Sequence, residues 1–334
     1  MTMNGDVPLK VVPVRHVGRW VSGGVALLVI AMLVHTIFSK LPTGQFSCSG
    51  AKPNRICHVK TEWRFSWDVI RHYFFTSEIL HGVELTLLLT VLAMAIGIVI
   101  GLVIAVMRLS PNRLLSATAW CYTWFFRGTP VYVQLLLWFN ISAIYPQFSL
   151  GVPFTSITFW HINAVALFDP FRAALVGLSL NEGAYMSEIA RAGIISVDEG
   201  QIEAASAIGL TRRQTLGLVV VPQAMRVIIP PTGNEIISML KTSSLVSIIG
   251  VTETMGAATN IYSANYEVIP LLLTASLWYL LWTTVLSSGQ FYVERYFARG
   301  SLRTPPPTPL QRLRRDVRGI AGKFRTPRGR QVAR

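Results

Sequence analysis

Residues 83–107 read VELTLLLTVLAMAIGIVIGLVIAVM, with one carboxylate, no Lys or Arg, and otherwise only apolar residues, Gly and Thr. An α-helix rises about 1.5 Å per residue, so a run this long covers the roughly 30 Å hydrocarbon core of a bilayer. The apolar residues are continuous rather than spaced at period 3.6 or 2, so this helix has no water-facing side. Working outward, comparable runs lie at Trp20–Phe38, Thr129–Tyr145, Phe171–Ser187, Val227–Val251 and Val268–Tyr292. The third and fourth spans are short for a bilayer and are expected to extend further. The first is followed by Thr36-Ile37-Phe38-Ser39-Lys40 rather than an A-x-A cleavage site, which marks an uncleaved anchor. Pro111 ends the second run, and Gly97 and Gly101 within it form a G-x-x-x-G that permits close helix packing. With 51% hydrophobic and 14% charged residues, the chain lacks the polar surface of a soluble domain. The expected fold class is all-α, a polytopic membrane protein with six transmembrane helices.

The distribution of positive charge orients these spans. No Lys or Arg occurs from Gly128 to Phe171 or from Thr242 to Glu294, so the loops inside those stretches are expected outside. Arg191, Arg212, Arg213 and Arg226 put the segment from Glu188 to Arg226 inside, and Arg108 with Arg113 marks another inner loop. Lys10, Arg15 and Arg19 place the N-terminus inside as well. Against this, the first outer loop carries Lys40, Lys52, Arg55, Lys60, Arg64 and Arg71, and the topology rests on the other loops and on the parity of six spans. The formal net charge of +14 is concentrated at the end: residues 299–334 hold eleven Lys/Arg and one Asp, so they carry +10. Beside a membrane span, such a tail suits anionic lipid headgroups better than nucleic acid, and Pro305, Pro306, Pro307 and Pro309 also suit a solvated, non-helical tail. The expected organisation is therefore an N-terminal tail and anchor (1–39), an outer loop (40–81), a membrane domain (82–294) and a basic inner tail (295–334).

Cys48 and Cys57 share one polar loop, where the oxidising side of a membrane permits a disulfide; the spacing leaves the bridged and free states equally open. With Cys121 they form no metal-ligand spacing, so no metal is expected. The six histidines form no H-E-x-x-H, and no G-x-S-x-G is present, which removes the usual signs of an intramembrane enzyme. A channel or ion-coupled transporter acting alone would show internal repeats or a relay of buried carboxylates, and neither is evident.

The segment from Glu188 to Pro222 is too polar to span and too regular for a slack linker. Ser196 followed by Glu199 reads as a capping box for a helix of about twelve residues from Val197, and Gly209 suits its left-handed end. Thr211 and Gln214 form a second capping box. Ala204, Ala205, Ser206 and Ala207 give the first helix a slim surface. The pattern alone is also that of a plain helical hairpin joining two spans.

Glu203-Ala204-Ala205, then Gly209, then Val221-Pro222, resembles the EAA loop of ATP-binding-cassette importer permeases, with Val221 where Leu is usual. Phe126-Arg127-Gly128-Thr129-Pro130, Glu188-Ile189-Ala190-Arg191-Ala192-Gly193, Pro222-Gln223-Ala224 and Lys241-Thr242-Ser243-Ser244-Leu245 are similar to the polar amino acid uptake branch, over about residues 82–294. The resemblance implies a five-helix permease core with an added first span, in the bacterial cytoplasmic membrane. It also implies two copies of an ATPase subunit, an extracytoplasmic amino-acid-binding protein and a second permease, identical or similar. On this reading residues 188–226 are the coupling loop, Glu203, Ala204, Ala205, Gly209 and Pro222 contact the ATPase, and ATP with Mg sits on that partner. This chain binds no cofactor itself: at Lys241-Thr242 the phosphate-loop pattern fails, because Leu240 stands where Gly is needed.

Polar groups inside a bilayer carry a cost and usually have a partner or a purpose. Glu182 and Asn181 lie in the fourth run, Gln134 in the third, and Asn234 in the fifth after Pro230, Pro231 and Gly233, which are expected to loosen the helix there. Glu182, Asn181, Gln134 and Asn234 are thus candidates for a substrate pathway, with Glu182 suited to an ammonium or guanidinium. The alternative is internal pairing, Glu188 with Arg191 and Glu235 with Lys241.

Overall fold

A computed structural model describes residues 17–37, 39–49, 56–63, 66–151 and 158–297. The tail beyond residue 297 and the first sixteen residues, with Lys10 and Arg15, lie outside the described residues. The chain begins with α1 (Val17–Ile37), a hairpin of β1 (Lys40–Ser49) and β2 (Ile56–Trp63), and a short α2 (Trp67–Tyr73). The long α3 (Ser77–Arg108) follows, then α4 (Arg113–Gly128), α5 (Val131–Phe139) and the single turn α6 (Ile141–Ile144). A second hairpin, β3 (Gln147–Gly151) and β4 (Thr158–Asn163), and α7 (Ala164–Leu167) lead into α8 (Pro170–Ile195). The remainder is α9 (Glu199–Ala207), α10 (Arg212–Thr215), α11 (Val221–Thr242), α12 (Thr254–Asn265) and α13 (Val268–Phe297).

Among the described residues, three helical stretches are long and apolar enough to cross a membrane: Ser77–Arg108, Arg212–Ile249 and Val268–Phe297. The other three expected spans overlap α1, α8 and the broken pair α5–α6, with α4 a further helix ahead of the third. The third span is therefore not the single run 129–145. Pro130 has no N–H to continue the α4 ladder, and Asn112 caps the start of α4 by accepting from Leu114 N at 2.9 Å. The fourth span is longer than its apolar run. Asp169 accepts from Arg172 N at 2.9 Å with Pro170 in the first turn, and the helix then continues through Glu188 and Arg191 to Ile195. The two hairpins depart from an all-helical expectation, but they lie only in the loops between spans.

The fifth span starts well before the expected Val227. From Arg212 the helix passes through a π turn, Leu216–Val220, directly into α11 and then into a 3-10 segment, Ser243–Ile249. The π turn precedes Pro222, whose ring clashes with the carbonyl four residues back in a regular helix; the wider turn relieves that clash. Pro230 and Pro231 do not unwind α11. Thr232 Oγ1 donates to Ile228 O at 2.8 Å, and the Gln290 amide on α13 donates to Pro230 O at 3.2 Å, so neighbouring groups steady the proline turn.

The core is the pairing of α3 with α8, which buries Leu89, Ala93 and Met94 against Ala174, Leu178 and Met186. Gly97 and Gly101 lie at this contact. A Cβ on Gly97 would meet Glu182 Cγ at 2.7 Å, and one on Gly101 would meet Met186 Cβ at 2.5 Å and Ser187 N at 2.9 Å. Residues 21–36 of α1 are exposed throughout, as suits a helix whose surroundings are lipid.

Candidate functional site: the loop between α8 and α11 and the polar span residues

The first loop helix is shorter than its sequence pattern suggests. Ser196 is the C-cap of α8, with its Oγ donating to Gly193 O at 2.7 Å, so it cannot open the next helix. Asp198 takes that role, accepting from Gly200 N at 2.8 Å, and α9 runs for nine residues. The end of α9 is a Schellman motif: Leu210 N donates to Ala205 O at 3.1 Å and Gly209 N to Ser206 O at 3.0 Å, with Gly209 at φ +81°. Thr211 and Gln214 then close a reciprocal capping box, with Thr211 N donating to Gln214 Oε1 at 2.9 Å.

On α9, Glu203, Ala204 and Ala207 are exposed, whereas Ala205 is buried against the rest of the chain. Ile208, just past its end, is 79% exposed, and Leu218 in the π turn is 68% exposed. Pro222 is exposed at the start of α11. Val197, Val220 and Ala224 form a small buried cluster beneath the loop, with Ile194 and Ile228 packed on it. Gly193 lets α8 approach α11 there, since a Cβ would strike Ile228. The exposed helix is thus rooted at once in α8 and α11, two of the membrane helices.

The four polar residues do not converge on one cavity. Gln134 and Asn181 come together, but on backbone. The Gln134 amide donates to Phe126 O (2.9 Å), Thr129 O (3.1 Å) and Thr129 Oγ1 (2.7 Å). The Asn181 amide donates to Phe126 O (2.8 Å) and Gln134 Oε1 (3.3 Å). Breaking the helix at Gly128 orphans the last carbonyls of α4, and in a bilayer only side chains can replace water there. Asn234 is exposed on α11, and its Oδ1 accepts from the Gln290 amide at 3.1 Å.

Glu182 stands apart from all three. It is buried against Gly97, and its Oε1 has no hydrogen-bond partner. Glu235 lies within electrostatic reach of Glu182 and of Arg127, whose guanidinium sits 5.2 Å from the centre of the Tyr185 ring. Among the described residues no ion pair joins Glu235 to Lys241, whereas Glu188 does pair with Arg191 at 2.8 Å and with Arg108 at 3.8 Å. One turn from Glu182, a cavity of about 410 Å³ is lined by Arg108, Trp120, Trp124, Arg127, Tyr185 and Glu188.

One polar centre escaped the sequence reading. Glu253 is fully buried at the start of α12, between two spans. It accepts from Met255 N and Gly256 N (both 2.9 Å) and from the Tyr279 hydroxyl on α13 (2.6 Å). Thr86 of α3 places its Oγ1 3.2 Å from Glu253 Oε2 and 2.8 Å from Thr254 Oγ1, and accepts from Thr254 N at 3.1 Å. Three helices meet on one carboxylate. The only local signal is an acidic residue in a stretch without Lys or Arg. Burial raises the Glu253 carboxyl above the ordinary carboxylate range, although the bonds from Tyr279, Met255 and Gly256 pull it down. The fold therefore favours the protonated form, and its stabilisation, complete at low pH, declines as pH rises from about 4.5 through the raised value. Each buried donor left without an acceptor costs about 1–3 kcal/mol, so Glu253→Ala is expected to lose at least ~3 kcal/mol. In melting curves of the purified protein, Glu253→Gln falls between the two and shows a shallower decline with pH. An unchanged melting temperature in Glu253→Ala contradicts this account of the junction.

Residues 97–299 match the family described as binding-protein-dependent transport system inner membrane component. The arginine transport system permease protein ArgU of Corynebacterium glutamicum is 41% identical over 299 residues, covering 89% of this chain and 85% of ArgU. A match of that extent reaches into the segment before residue 82. The L-cystine transport system permease protein TcyB of Bacillus subtilis is 36% identical over 234 residues, covering 70% of this chain and 92% of TcyB. A crystal structure of an amino acid ABC transporter with histidines aligns at a TM-score of 0.59 and 34% identity, over 69% of this chain and 98% of that one. An inward-facing structure of the MetNI methionine ABC transporter, at 18% identity and a TM-score of 0.54, shares the fold. The family match, the length and identity of the alignments and the bundle of membrane helices agree: the chain belongs to the binding-protein-dependent transport system inner membrane components, as a multi-pass permease subunit of an ATP-binding-cassette importer and not an enzyme.

Proposed function

We propose that the chain moves a polar amino acid into the cell, driven by a separate ATPase that acts on α9. The observation that carries this reading is the capped, exposed α9, rooted by Val197, Val220 and Ala224 between α8 and α11. A short helix fixed at both ends transmits a push as rigid-body movement of the helices beneath it, which is what a switch between inward-open and outward-open states requires. Glu203, Ala204, Ala205, Gly209 and Pro222 form or shape that contact. Exposed Ile208 and Leu218 add the apolar area that a partner would cover. The assembly comprises two ATPase subunits carrying ATP and Mg, a second permease and an extracytoplasmic binding protein. Both termini face the cytoplasm of a bacterial cell. The relatives named for arginine and L-cystine transport, and the structure with histidines, support an amino acid as cargo.

Glu182 is the residue we assign to the cargo's positive group, because its free oxygen is buried without a protein partner. Asn181 and Gln134 hold the helix break behind it, and Asn234 lies on the neighbouring α11. In proteoliposomes containing the complete transporter, Glu182→Gln is expected to weaken uptake of a cationic amino acid about tenfold, equivalent to ~1.4 kcal/mol. Unchanged affinity and rate would remove Glu182 from the pathway. Vanadate-sensitive uptake that depends on a co-purifying ATPase tests the whole reading, and uptake by the chain alone overturns it.

A further inference from the structure

The β1–β2 hairpin places its two cysteines opposite one another. Four consecutive pairs, Phe46 with Val59, Ser47 with His58, Cys48 with Cys57 and Ser49 with Ile56, run without a break, and the one irregularity lies farther back, between Pro42 and Phe46. Residues directly opposed in an antiparallel pair have Cα atoms about 4.5 or 5.5 Å apart, depending on their hydrogen-bonding position. Disulfides span about 4.4–6.8 Å between Cα atoms, so either position meets the requirement. A slip of one residue would instead set Cys48 against Ile56 or His58 and rule out the bridge.

We propose that Cys48 and Cys57 form a disulfide that locks this hairpin on the outer face of the membrane. The proposal rests on the orientation given under Proposed function, which puts residues 40–81 outside, where thiols are oxidised. The ribbon also has reason to be bridged. A two-stranded hairpin alone is marginal in water, and β1 and β2 pack chiefly on each other among the described elements. The chemistry is thiol–disulfide exchange with the disulfide of an extracytoplasmic thiol oxidoreductase. One cysteine thiolate attacks a sulfur of that disulfide, forming a mixed disulfide and releasing the oxidoreductase's other sulfur as a thiolate. The second cysteine, as thiolate, then displaces the oxidoreductase. The chain loses two electrons and two protons, and the oxidoreductase gains them as a dithiol. Cys121, free and exposed on α4, takes no part.

The test counts thiols. The full-length chain is isolated from membranes of its own host with thiols blocked at once by a maleimide, denatured, and weighed before and after reduction followed by a second maleimide treatment. One label before reduction and three after is the expected result, and Cys48→Ser gives two labels without reduction. Three labels on the untreated chain overturn the proposal. A parallel measurement separates this failure from failure of the orientation. Ser77→Cys, in a background with Cys48, Cys57 and Cys121 replaced by Ser, is probed on intact cells with a membrane-impermeant maleimide. If that site labels while the native pair is found as thiols, the disulfide fails and the orientation stands. If it does not label and the pair is reduced, both fall.

Discussion

Replacing Gly209 with valine is expected to uncouple transport from ATP hydrolysis while leaving the chain folded. Gly209 holds φ +81°, and a Cβ there would meet nothing within 4 Å, so the penalty is purely conformational. An L-residue in this left-handed region costs about 1–2 kcal/mol, and more when β-branched. Against the burial of several helices that sum is small, so melting shifts by only a few degrees. It is enough, however, to move Gly209 out of the left-handed well, and the two Schellman bonds from Leu210 and Gly209 then break. The end of α9 tilts away from the π turn it rests on. In proteoliposomes with the partner ATPase, uptake per ATP hydrolysed is expected to fall at least tenfold in Gly209→Val. Gly209→Asn retains most activity, because Asn tolerates the left-handed region. A normal ratio of uptake to hydrolysis in the valine variant removes α9 as the transmitting element.

The second large effect is at Gly101, where valine prevents α3 from seating on α8. Its Cβ would lie 2.5 Å from Met186 Cβ and 2.9 Å from Ser187 N. Neither is the far end of a flexible side chain, so the helices themselves must separate. Overpacking of this kind costs roughly 1–3 kcal/mol or more, and here it falls on the most extensive contact among the described helices. The expected result is loss of the monodisperse species in size-exclusion chromatography, or a fall in melting temperature well beyond that of a control. Gly289→Ala on α13 serves as that control, because no atom lies within 4 Å of its Cβ position. Equal behaviour of the two variants contradicts the close approach at Gly101.

How much was legible in the sequence depends on how far each interaction reaches along the chain. The Thr211–Gln214 capping box and the break at Gly209 involve residues within a turn of each other, so their sequence signatures suffice. The same local reasoning misassigned Ser196, because the end of α8 and the start of α9 compete for one short segment, and only the path of α8 shows that Asp198 opens the next helix. The polar span residues illustrate the limit. Asn181 and Gln134 read as pathway residues from composition, yet their amides both donate to the Phe126 carbonyl that Pro130 orphans in α4.

The sequence by itself determined the membrane class, four of the six helical runs to within several residues at each end, and the helix–break–helix form of the loop. These follow from apolar run length and from bonds between near neighbours. The tertiary structure alone decided that Glu253 joins α3, α12 and α13, that Gly97 faces Glu182, and that Cys48 lies opposite Cys57. Each of these depends on which face of one element meets another, and hydrophobicity that is uniform around a lipid-embedded helix leaves that choice unmarked in the chain.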